Sequence, residues 1–405
     1  MASPVDEPLF ASGTAEPHGL WGRAFRPFFL ALSVYAVLVV PWWLASLLGV
    51  APAPAWLVAP WWHGHEMVFG VVAAAIAGFL LTASPVWAGR RALSGAPLAA
   101  VFGLWVAGRI ALAAAGWLPT WLVAAVDLAF LPAVAVVVAR TLWGSRQLRN
   151  HGLVGIVLAL AAANAAMHAQ ALGVAAGGAG SALRFGVDLI VVLMLVIGGR
   201  ITPAFTRNAF QRAGIARTVR SWRWLDHTAI AAAAALAAAT PVIGRGAITG
   251  ALATLAGVAA AGRLLGWQSW HTRADPLLWS LHAGSAWVAS GLLLTAAGDL
   301  GAAVPAAAGL HALTAGAMGS LVLAVITRVG LGHTGRPLVL PSGVIACYAL
   351  VHAGALLRVA STFAAGDARL VLLGAGGAAW AAAFAGFALR YWPILTRPRP
   401  DGRPG

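Results

Sequence analysis

Twelve stretches of apolar residues run through the chain, each near the 20 or so residues that an α-helix needs to cross a bilayer. They lie close to 27–49, 62–84, 97–116, 119–140, 151–173, 182–200, 226–243, 246–266, 277–298, 304–327, 341–363 and 368–391. Such segments have few options, because in lipid every backbone N–H and C=O must be satisfied inside the segment, which for runs of this length means helices. Composition supports the same conclusion: 61% of residues are hydrophobic and only 9% charged, whereas a water-facing surface takes about 25% charged residues. Mean hydropathy is +0.85. The expected fold is therefore all-α, a polytopic transmembrane bundle of about twelve helices. Connections as short as Gly116–Thr120 and Gly244–Arg245 imply antiparallel hairpins.

Charge sets the expected orientation. The net charge is +15, and all 26 basic residues are Arg. Arg184, Arg245 and Arg369 fall on one set of alternating loops, Arg109 and Arg358 fall inside apolar runs, and the other 21 share the opposite set of loops and the tails. Basic loops mark the cytoplasm, so both termini are expected there, with 1–25 and 393–405 as cytoplasmic tails around a membrane domain of 26–392. The acidic, Pro-containing start lacks the basic opening and short apolar stretch of a signal peptide. Arg residues placed between spans answer to lipid headgroups and not to nucleic acid. Cys347 is the single cysteine, which excludes intrachain disulfides and thiolate clusters and leaves His, Glu, Asp and Met as metal ligands.

Ionisable groups inside spans are costly and need a partner or a role. At about 1.5 Å per residue, Glu66, Arg109, Asp127, His168, Asp188, His311 and Arg358 all fall roughly 6–12 Å from the non-cytoplasmic ends of their spans. One shared site at that depth is expected. The densest motif is Trp62-His63-Gly64-His65-Glu66-Met67. On an α-helix His63 and His65 are about 200° apart; His63 then shares a face with Glu66, Gly70, Ala74 and Gly78, while His65 faces elsewhere with Phe69. The spacing is not that of HExxH zinc hydrolases. His282 and His333 form a smaller set towards the cytoplasm. His227, His271 and His352 read as ordinary membrane histidines, and His18 and His151 as solvated. A 246-residue shift places His65 on His311, Gly70 on Gly316 and Gly89-Arg90 on Gly335-Arg336, the pattern of a repeat of spans two to four in spans ten to twelve. Neutral imidazole suits transition metals and haem iron in a membrane. Asp127, Asp188, Arg109 and Arg358 could equally form buried ion pairs that fix helix register.

The motifs taken in order resemble the NnrS family. They are Arg26-Pro27-Phe28-Phe29-Leu30, Trp62-His63-Gly64-His65-Glu66-Met67-Val68-Phe69-Gly70, Ala77-Gly78-Phe79-Leu80-Leu81-Thr82-Ala83, Gly108-Arg109, Asp127, and the run from Gly199 to Asn208. Trp279-Ser280-Leu281-His282, His311-Ala312-Leu313-Thr314-Ala315-Gly316 and the run from Arg328 to Arg336 complete the likeness. The resemblance implies a haem b- and copper-containing protein of the bacterial inner membrane that responds to nitric oxide in denitrification and nitrosative stress. In that light His65 and His311, with His168 as a third candidate, are expected haem ligands, and Arg109 and Arg358 propionate partners. His63 and Glu66 are expected at copper or behind its ligands, and either His282 and His333 form a second, cytoplasmic-side site or His333 only structures its loop. No residue is assigned a catalytic role. A transporter for a metal, haem or small anion is the rival reading, since intramembrane Asp and Arg also suit transport.

Overall fold

A computed structural model describes residues 19–145 and 150–402; the tail before Gly19, Arg146, Arg149 and Arg403 lie outside the described residues. The described chain is all-helical. Its membrane rods are α1 Phe25–Leu47, α2 Ala59–Ala88, α3 Gly95–Ala113, α4 Thr120–Leu142, α5 Gly152–Ala171 and α6 Ala179–Arg212, followed by α7 Arg223–Ile243, α8 Ala247–Gly266, α9 Pro276–Asp299, α10 Ala306–His333, α11 Val344–Ala360 and α12 Gly366–Thr396. Eleven are long and apolar enough to cross a membrane; α11, at 17 residues, is the short one.

Local sequence explains several boundaries. Asp275 caps α9 by accepting from Leu277 N at 2.9 Å, with Pro276 at the first helical position, where its missing N–H costs nothing. Gly89 ends α2 in the left-handed conformation, φ 64°. In α4 the helix breaks at Ala129, because Pro132 has no N–H to donate to the Leu128 carbonyl. The α11–α12 crossing is backbone to backbone: a methyl group at Gly354 would lie 2.8 Å from Gly376 O. Close small-residue contact of this kind is how helices associate in lipid.

Successive rods pack as neighbours, and α12 returns against α1 to close the bundle. Arg26 fastens that closure: it is fully buried, and its Nη1 donates to Leu395 O at 2.9 Å and Arg397 O at 2.8 Å. The two described ends of the chain therefore meet on one face, called here the terminal face. The inner helices are α2, 83% buried along its apolar window, and α10, 67% buried, against 28% for α7. With α6 they enclose the molecular axis.

Neither α2 nor α10 is α-helical throughout. Glu66–Val72 and Ala312–Met318 are π-helical turns. Their boundaries are 246 residues apart, the shift that relates the histidine motifs, and α2, α3 and α4 begin within three residues of the same shift from α10, α11 and α12. A π-turn holds one extra residue in the helix, so side chains ahead of it are turned by about 100° relative to those behind it.

Candidate functional site

The π-turn of α2 decides which groups meet. Ahead of it, His63 and His65 leave α2 on different sides and enter two separate sites. His65 joins Glu66, while His63 faces a cavity; the π-turn that follows sets how this group is rotated relative to the rest of α2.

The first site is a buried polar cluster from α1 to α5. Arg109 bridges two carboxylates, donating through Nη1 to Glu66 Oε2 at 2.6 Å and through Nη2 to Asp127. Tyr35 OH donates to Glu66. His65 Nδ1 lies 2.8 Å from Glu66 Oε1, and its Nε2 lies 2.7 Å from Asn164 Oδ1 and 3.2 Å from Asp127 Oδ2. Both ring nitrogens of His65 therefore face oxygen atoms. Asn164 Nδ2 donates to Asp127 Oδ2 at 2.8 Å, and His168 Nε2 does so at 2.9 Å. His65, Glu66 and His168 are fully buried, and Asp127 is 2% exposed. Two glycines admit these groups: methyls at Gly70 and Gly108 would lie 3.0 Å from Arg109 Nη1 and 2.9 Å from Asp127 Oδ1. Trp56, from the α1–α2 loop, covers both imidazoles at centroid distances of 4.7 and 4.9 Å. One ligand atom each from His65, Asp127 and His168 lies within 4.8 Å of the others, a separation one metal ion can span.

The second site is an apolar cavity of about 120 Å³ on the other side of α2, bounded also by α1, α6, α10, α11 and α12. His63, His311 and Arg358 line it, with Trp43, Met67 and Met318. His63 stacks on Trp43 at 4.1 Å, and its buried Nδ1 has no partner. Arg358 Nη2 meets His311 Nε2 at 2.6 Å, and Nη1 donates to Ser361 Oγ at 3.0 Å. Among the described residues no carboxylate balances the Arg358 guanidinium. An uncompensated cation on an apolar wall calls for an anion.

The family model described as NnrS protein matches residues 19–399. The chain belongs to the NnrS family. NnrS membership makes it a multi-pass membrane protein of the nitric-oxide response. No curated protein sequence matches the chain.

The other residues singled out from the NnrS motifs lie apart. His282 has both nitrogens occupied, by Thr206 Oγ1 at 2.9 Å and Ser269 Oγ at 2.7 Å. His333 ends α10, its ring 5.7 Å from that of Phe25 and its carbonyl accepting from Arg399 at 3.0 Å. His282 and His333 therefore do not meet in one cluster. Asp188 pairs with Arg184 one turn away at 3.0 Å and joins neither site. His352 Nδ1 accepts from Trp287 Nε1 at 3.0 Å. The single expected site is thus two, with Asp188 in neither. Tyr35, Asn164, Trp43 and Met318 complete the two sites and were not singled out in the sequence. Asn164 carried a readable signal: it is an amide in the middle of an Ala-rich span, one helical turn from His168.

Proposed function

We propose that this chain is a haem- and copper-binding protein of the bacterial cytoplasmic membrane that takes up and detoxifies nitric oxide, with haem in the His63–His311 cavity and copper in the cluster. The observation that carries the reading is the donor set of the cavity: two imidazoles, one with an unpartnered buried nitrogen, and an unbalanced Arg358 between apolar walls. That combination fits haem, whose iron takes imidazole and whose propionates take Arg. Arg109 fits a propionate poorly, since two carboxylates already bridge it. His65, Asp127 and His168 fit a copper ion: two nitrogens and one oxygen suit Cu(II), and the Glu66 and Arg109 contacts hold the ligands in orientation.

When bound, haem supplies an iron on which nitric oxide binds, the polarity of the pocket deciding between binding and reduction. The protein's own part is positional. His63 is fixed by its stack on Trp43, and His311 by Arg358. The apolar walls exclude water, and α2 keeps the two donor sets apart.

The test is an optical spectrum of detergent-purified protein, oxidised and reduced, with and without nitric oxide, beside a metal analysis. We expect a b-type haem band that shifts with nitric oxide. His63→Ala or His311→Ala should remove the band, and His168→Gln should remove copper while sparing haem. Folded protein that is colourless and metal-free would sink the proposal and favour transport.

A further inference from the structure

A second cavity, of about 110 Å³, lies next to the histidine cavity on the side of the terminal face. It is a partly open pocket lined by α2, α6 and α10, with Phe29 of α1. Its wall is hydrocarbon, aromatic ring and thioether, including Ile76, Phe79, Ile190, Met194, Ile197 and Leu321. Among the described residues Thr202 contributes the one hydroxyl in that wall, and its buried Oγ1 has no partner.

Such a wall decides what can occupy the space. A buried water needs two to four polar partners, and this wall supplies one. Ions and polar molecules fare worse, since no group here replaces their hydration. A dry apolar cavity of comparable size takes up benzene or xenon. On the measure by which one water needs about 10–15 Å³, this space has room for several diatomic molecules. Small apolar gases also partition into lipid and reach such a cavity without a polar channel.

The two cavities share Val72, Met318 and Val322. Met318 is the last residue of the α10 π-turn. Its unbranched, flexible side chain separates a space without donors from one with two imidazoles.

We infer that the second cavity is a binding site for a small apolar gas, holding it in line with the histidine cavity and releasing it to that cavity past Met318. That it serves the histidine cavity rests on the function proposed above; that it binds gas does not.

The experiment uses crystals of the full chain pressurised with xenon, with the metal content recorded separately. Xenon density is expected in the second cavity of the wild type. A methyl at Gly198 would meet nothing within 4 Å, so in Gly198→Leu the new side chain has open space to enter. Occupancy should fall about tenfold or more as the space fills. Val325→Phe fills the cavity from α10 and should act alike, which covers the case in which one variant misfolds. Gly155→Leu also meets nothing within 4 Å, at an exposed position of α5, and should leave occupancy unchanged. Ordered water or an acyl chain in the wild-type cavity, absence of xenon, or full occupancy in folded Gly198→Leu and Val325→Phe would each overturn the inference. Xenon binding in colourless protein would uphold the gas site and defeat the proposed function. Haem-bearing protein that excludes xenon would do the reverse.

Discussion

Arg109 and Arg358 are both arginines inside membrane helices, yet they hold opposite positions. Arg109 is the centre of a charge network, with Glu66 and Asp127 on its two arms. Among the described residues Arg358 hydrogen-bonds only neutral partners, Ser361 and His311. Removing one member of a buried pair strands the other charge, so Arg109→Met should cost about 3–5 kcal/mol, read as a lowered unfolding midpoint in detergent. Arg358→Met removes hydrogen bonds to neutral groups and should cost no more than about 1.5 kcal/mol, while weakening retention of an anionic cofactor. Equal losses of stability in the two variants would contradict this division. The sequence marked both residues by their depth but could not separate them, because depth does not say which carboxylate a guanidinium reaches. Asp188 shows the same limit: it shares the depth of Asp127 and yet pairs with Arg184 on its own helix.

The helices themselves were legible because long apolar runs in lipid have one outcome. Their ends were less so: α2, α6 and α12 extend beyond the apolar runs that mark them. The π-turn was the feature that pattern reading missed. A helical wheel assumes a constant 3.6 residues per turn, and one extra residue in 66–72 invalidates it for everything ahead of the turn. Nothing in the composition of Glu66–Val72 announces this, although the matched glycines Gly70 and Gly316 mark the two turns in retrospect. Deleting Val71 should return the segment to α-helical bonding and turn His65 and Glu66 away from Asn164 and Arg109. We expect a loss of at least about 3 kcal/mol in chemical unfolding of the reconstituted protein. A deletion variant as stable as wild type would mean that the π-turn does not orient the cluster.

For the whole molecule, twelve rods and the Arg26 clasp put both described ends on one face. That part of the expected topology is geometric; which face meets the cytoplasm is an expectation from charge. Single cysteines in a Cys347→Ala background test it. Arg90→Cys and Arg273→Cys should be shielded from a membrane-impermeant maleimide in intact cells, and Gly116→Cys and Gly301→Cys should react. The opposite pattern would reverse the orientation. The pair of axial cavities has a mechanical consequence as well. Empty space is what hydrostatic pressure removes, and the volume lost on unfolding scales with internal void. Even when a cofactor fills the histidine cavity, the hydrocarbon-walled one beside it leaves the centre of the bundle compressible. The chain should therefore yield at lower pressure than its tightly crossed outer helices would suggest, and Gly198→Leu should make it stiffer.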